Sequence, residues 1–158
     1  MRIRLNKKGF TLIELLIVVA IIGIIAAIAI PNLLNAIQRG KQKRTMADMR
    51  AVGTAVEAFA VDNNRYPDSA SNISVITDDV EPIYIKKIPT QDGWETAFDY
   101  LATPANAAQS YSIQSYGKNK NQEGPCDGNA YKGITTNFNN DICFSQGSFT
   151  QFPEGIQQ

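Results

Sequence analysis

KKGFTLIELLIVVAIIGIIAAIAIP, residues 7–31, is the stretch on which the fold turns. From Phe10 to Ile30 its 21 residues are interrupted only by Thr11, Glu14 and Gly23. As a helix rising 1.5 Å per residue it is about 31 Å long, enough to span a bilayer. Two ordinary readings compete. A secretory signal peptide would use the four preceding positive charges and Ala27-Ile28-Ala29 as its cleavage site. Its apolar core is normally shorter, carries no acid and is not followed by further helical patterning. A permanent transmembrane anchor leaves Glu14 equally unexplained. A carboxylate inside hydrocarbon costs about 3 kcal/mol on insertion scales, so it calls for a function and a partner. A cut after Gly9 would supply the partner: Phe10 gains a free α-amine, and Glu14 lies four residues along on the same helical face.

Working outward, the 158 residues suit one compact domain beside this helix. The 15 basic and 15 acidic side chains balance, but Arg2, Arg4, Lys7 and Lys8 all precede the apolar run. Without them 11 basic residues face 15 acidic ones, a net charge of −4, which gives no general attraction to nucleic acid. Arg39, Lys41, Lys43 and Arg44 follow the run, so the positive-inside count is a tie. Histidine is absent, which removes the commonest general base and every imidazole metal site. The sequence also lacks a phosphate-binding nucleotide loop. An enzyme is therefore the weakest class. Cys126 and Cys143 fit no redox, haem or zinc spacing. One structural disulfide is the natural reading, with two buried thiols the alternative.

Lys7-Lys8-Gly9-Phe10-Thr11-Leu12-Ile13-Glu14 resembles the type III signal of type IV prepilins and type II secretion pseudopilins. The resemblance implies cleavage after Gly9 by a prepilin peptidase and methylation of the new Phe10 amine. It makes Glu14 the acid that guides subunit docking, and places a helix-bending proline at Pro31. It further implies an inner-membrane, single-pass bacterial protein with its head in the periplasm. Such a chain enters a homo-oligomeric helical filament through a membrane assembly platform and alongside other pilin-like subunits, the motor being external. It needs no cofactor for this.

Pro31 lacks an N–H and crowds the carbonyl of Ala27, so a helix through it should kink or loosen, with Gly23 a second weak point. Met49, Val52, Val56 and Phe59 recur at helical spacing and predict an apolar stripe packed on a head, ending near Asp62. Gln38 to Thr45 is polar all round, and is expected to face solvent, headgroups or neighbouring subunits rather than the head. Asn63, Asn64 and Pro67 stop the helix. Ile73 to Ile88 reads as a short helix and a loop whose Asp78, Asp79 and Glu81 are solvated. Thr96–Leu101 and Ser110–Tyr116 alternate as two antiparallel strands, and Ile142–Phe144 is a third. The expected fold class is α+β, a long helix on a small antiparallel sheet. Its parts are a leader at 1–9, a transmembrane segment at 10–30, an amphipathic continuation at 31–62 and a head at 63–158.

Within the head, Asn64-Arg65-Tyr66-Pro67, Tyr84 to Pro89, Asp92-Gly93-Trp94 and Tyr116-Gly117 are similar in order to G-type major pseudopilins. That resemblance implies structural calcium in a C-terminal loop, with Asn119, Asn140, Asp141 and the carbonyls around Tyr116 as matching positions. The chain departs from it by one asparagine in place of an acid and about 14 extra residues around Cys126. The predicted function is a structural filament subunit, of a secretion pseudopilus or a surface pilus. The alternative is a minor pilin that binds DNA or surfaces through Arg65, Lys118, Lys120 and Lys132.

Overall fold

The computed structural model describes residues 9–68, 71–105, 107–126, 132–155 and 157. Met1 to Lys8, most of the expected leader, lie outside the described residues. The chain divides into two units, 1–36 and 37–158, each taken here by itself.

The first unit holds the start of α1, the helix Leu12–Asn63. The helix begins at Leu12 rather than Phe10 because Thr11 caps it: its Oγ1 accepts the Glu14 N–H at 3.2 Å. The Leu15 N–H closes the first turn on the Thr11 carbonyl at 3.3 Å. Thr11 thus stands at the N-cap and Glu14 at N3. Gly23 and Pro31 sit in the helix interior with no break in helical structure. Beside Pro31, the Asn32 side-chain amide donates to the Ile28 carbonyl at 3.2 Å.

The second unit packs residues 37–63 of α1 against a five-stranded sheet. The strands are β1 (Asp99–Thr103), β2 (Ser110–Ser115), β3 (Gly133–Thr135), β4 (Ile142–Ser145) and β5 (Ser148–Pro153). Their order is β1-β2-β4-β5-β3, antiparallel except for β3 beside β5. The expected pairing of the first two strands holds, with Tyr100 opposite Ile113. The first begins at Asp99 rather than Thr96, because residues 92–96 form a tight turn. β3 and β5 escaped sequence reading: β3 has three residues, and β5 lacks clean alternation. A 3₁₀ turn, Ile73–Ile76, leads into the one-turn helix α2, Thr77–Val80.

Met49, Val52, Val56 and Phe59 are buried as their spacing predicts, against Phe98, Tyr100, Tyr111, Ile113 and Phe144. Gly53 completes this face, since a Cβ there would enter the Phe144 ring. α1 stops where Asn64 takes a left-handed φ of 54° and the Asn63 amide turns back to the Phe59 carbonyl at 2.9 Å.

The polar stretch from Gln38 to Thr45 corrects the expectation made for it. One side of it faces the head, with Gln42 and Thr45 buried, while Arg39, Lys43 and Arg44 are exposed as expected. The buried Asp92 carboxylate accepts from the Trp94 and Thr96 backbone N–H groups at 2.8 and 2.9 Å, and from the Ser115 hydroxyl at 2.7 Å. This fixes a turn that presents Gly93 and Trp94 to the helix. The Gly93 N–H donates to Thr45 Oγ1 at 2.8 Å, Thr45 Oγ1 donates to the Lys41 carbonyl at 3.0 Å, and Trp94 Nε1 donates to Gln38 Oε1 at 2.7 Å. Gln42 reaches Gln157, whose amide bonds the Thr135 and Glu154 carbonyls. On that side polarity marks specific hydrogen bonding, not exposure.

Gly93 lies so close to the Lys41 backbone that no Cβ fits. Gly93→Ala is expected to cost about 2 kcal/mol or more, because main chain cannot yield as a side-chain tip can. Thr45→Val keeps the shape but strands the Gly93 N–H, at about 1–3 kcal/mol. Urea melts of the detergent-solubilised chain check both; wild-type midpoints would show that the turn does not anchor the helix.

Candidate functional site

Two places carry chemistry, the start of α1 and the loop closing the sheet. At the first, Gly9 and Phe10 precede the Thr11 cap, and Phe10 is 74% exposed. The Glu14 side chain leaves the first helical turn and is exposed. Leu12, Ile13, Leu15, Leu16 and the apolar residues beyond them are likewise exposed, on every face of the helix. One stretch of α1 is apolar and long enough to cross a membrane, and none of it is buried within the chain. Such a surface is stable only against lipid or other apolar helices. The Thr11 cap adds what spacing alone did not: it fixes where the helix begins, and so sets Glu14 in its first turn.

At the second place the three expected calcium positions are each engaged in hydrogen bonds. Asn119 spends its side-chain oxygen on the Asn121 N–H at 2.9 Å. Asn140 points its amide nitrogen at the Glu123 carboxylate, at 3.0 and 3.3 Å. Asp141 is 1% exposed, and its Oδ2 accepts from Gln114 Nε2 at 2.7 Å and the Glu123 N–H at 2.9 Å. Its Oδ1 is buried without a hydrogen bond. Burial pushes the Asp141 carboxyl above the usual carboxylate range, while the Glu123 N–H, Gln114 and the Lys132 charge draw it back. Among the described residues no three acidic or cysteine side chains are placed to share a metal.

The residue that organises this loop is Gln114 on β2, which sequence reading passed over. It is 3% exposed although it alternates with core residues and belongs to the face expected to meet water. Its amide nitrogen donates to the Gly124 carbonyl and Asp141 Oδ2, both at 2.7 Å. Its oxygen accepts from the Cys126 N–H and the Gln122 amide, both at 3.3 Å. The Gly124 carbonyl and Cys126 N–H together fix which end of the amide is which. Opposite Gln114 on β4 is Cys143, and a disulfide joins Cys143 to Cys126 with Cα atoms 5.8 Å apart. Lys132 Nζ donates to the Pro125 carbonyl at 2.6 Å.

Elsewhere, Arg65 pairs with Asp68 at 3.0 Å, so Arg65 and Lys132 are both engaged within the head. Of the acidic trio, Asp78 and Asp79 are exposed as expected, whereas the Glu81 carboxylate accepts the Ile88 N–H. Asp99 sits on β1 opposite Gln114, and burial raises its carboxyl despite a bond from the Tyr116 hydroxyl at 3.2 Å.

Comparison with known proteins adds an independent line. Residues 4–30 match the prokaryotic N-terminal methylation motif, and residues 32–131 match type II secretion system protein G. The type II secretion system core protein G of Aeromonas hydrophila is 32% identical over 107 residues, covering 61% of this chain and 74% of that protein. Its counterpart in Pseudomonas aeruginosa is 29% identical over 135 residues, covering 78% and 94%. The crystal structure of the major pseudopilin from the type 2 secretion system of enterohaemorrhagic Escherichia coli aligns with a TM-score of 0.45 and 23% identity, over 60% of this chain and 89% of that one. With its methylation motif followed by a protein G region that spans most of the remaining chain, the protein belongs to the type II secretion system protein G family of structural pseudopilins.

Proposed function

We propose that this chain is processed between Gly9 and Phe10 by a prepilin peptidase, methylated on the Phe10 amine, and polymerised into a periplasmic pseudopilus that serves protein export. The observation that carries the reading is a capped helix, apolar on every face, with one carboxylate in its first turn and a methylation motif across its start. Before the cut, Phe10 carries an amide, and among the described residues no cation pairs with Glu14 at the helix end. After it, the amine at Phe10 and the carboxylate at Glu14 lie within one turn and neutralise each other, within a chain or between neighbours. The second arrangement also sets the axial register of packed helices. The head lies on the periplasmic side of the inner membrane, and the filament contains copies of this chain with other pseudopilins. An external motor moves it. The surface chemistry favours this structural role over DNA capture, since the cations named for such binding include two already engaged within the head.

The mature chain should begin at methylated Phe10. Intact mass and N-terminal sequencing read this directly, and a start at Ile30 would instead make the apolar stretch a discarded signal. Glu14→Ala should leave processing intact and reduce filament yield by tenfold or more, on the order of the ~1.4 kcal/mol or greater that an unpartnered amine in hydrocarbon costs per assembly contact. Shearing or pull-down of overexpressed filaments measures it. Wild-type yield from the variant would remove the assembly role given to Glu14.

A further inference from the structure

The family resemblance leads to an expectation of calcium in the C-terminal loop, and the side chains of the described residues do not suit it. Calcium takes six to eight oxygens at about 2.3–2.6 Å, with carboxylates supplying the charge. Here the interior carboxylate, Asp141, is met by an amide N–H from Gln114 and a backbone N–H from Glu123. The Lys132 cation acts on the same carboxylate. The second nearby carboxylate, Glu123, is met by the Asn140 amide nitrogen. These donors occupy Asp141 Oδ2 and both Glu123 oxygens, and the remaining oxygen of the two carboxylates, Asp141 Oδ1, is far short of the six to eight ligands calcium takes.

We infer that the C-terminal loop of this head is closed without calcium, by the Gln114 amide and the Cys126–Cys143 disulfide acting as one metal-free clasp. Gln114 alone ties together Gln122, Gly124, Cys126 and Asp141, using both of its polar atoms twice. The disulfide closes the same crossing from the neighbouring strand, since Cys143 is the β4 residue paired with Gln114. A cation that gathers ligands from separate segments does the same joining. In this chain it is done by one strand residue and one covalent bond, so closing the head depends on an oxidising compartment and not on a calcium supply.

The test uses the full chain in detergent, with thermal unfolding followed in excess chelator and in 5 mM calcium chloride. The two midpoints should agree to within about 1 °C, whereas a saturating cation would raise the second by about 5 °C or more. Reduction of the disulfide should lower the midpoint by about 5 °C or more in both conditions. Gln114→Glu sets a carboxylate against Asp141. It should melt below wild type in chelator and regain part of the loss in calcium, because the change sets a second carboxylate beside Asp141 for a cation to bridge. A saturable calcium shift in the wild-type chain would overturn the inference. So would a Gln114→Glu midpoint equal to wild type in chelator, since the amide would then not be the clasp. These melts do not depend on filament assembly, so their failure and that of the pseudopilus reading are separable.

Discussion

A helix whose side chains are apolar on every face has no side to turn to water, and residues 12–30 of α1, Glu14 aside, form such a helix. No packing within the chain relieves it, because none of the spanning stretch is buried there. The segment must therefore exchange one apolar surrounding for another, lipid before assembly and other helices after it. In both surroundings a lone carboxylate is costly unless neutralised. Glu14 is that carboxylate, and on the proposed function a cut after Gly9 creates a charge to match it. On that proposal the subunit is stable in the membrane in a form that also stabilises the polymer.

The head meets the opposite problem, joining a polar stretch of helix to a sheet that offers little apolar cover there. The solution is the turn held by Asp92, which brings Gly93 and Trp94 against residues 38–45 of α1. Further along the helix the joint becomes apolar, from Met49 through Phe59. One helix therefore uses three kinds of contact in succession: an apolar exterior, specific hydrogen bonds, and a conventional core stripe.

Much of this was legible from sequence because it follows local periodicity. The stripe at Met49, Val52, Val56 and Phe59 lies where 3.6-residue spacing puts it, and Tyr100 and Ile113 face each other in the expected strand pair. The disulfide followed from having two cysteines and no other use for them. What could not be read depends on residues far apart in the chain. Thr45 and Gly93 are 48 positions apart, and polarity at Gln38 to Thr45 gives no sign of a distant turn with matching donors. Gln114 resembles any outward residue of a strand until the loop over that face is known. The calcium positions came from likeness to relatives rather than from side-chain chemistry, and the departures around Cys126 fall where the chemistry differs.

Gly53 and Phe144 show how such a fold constrains its own history. The ring occupies the space that any side chain at position 53 would need, so the two residues behave as a single volume divided between helix and sheet. Drift at one is blocked unless the other shrinks first, and the intermediate with both small has a cavity in the core. Across descendants the pair should persist as it is or change together, so that Gly53 records the size of a partner 91 residues away more faithfully than it records helix propensity.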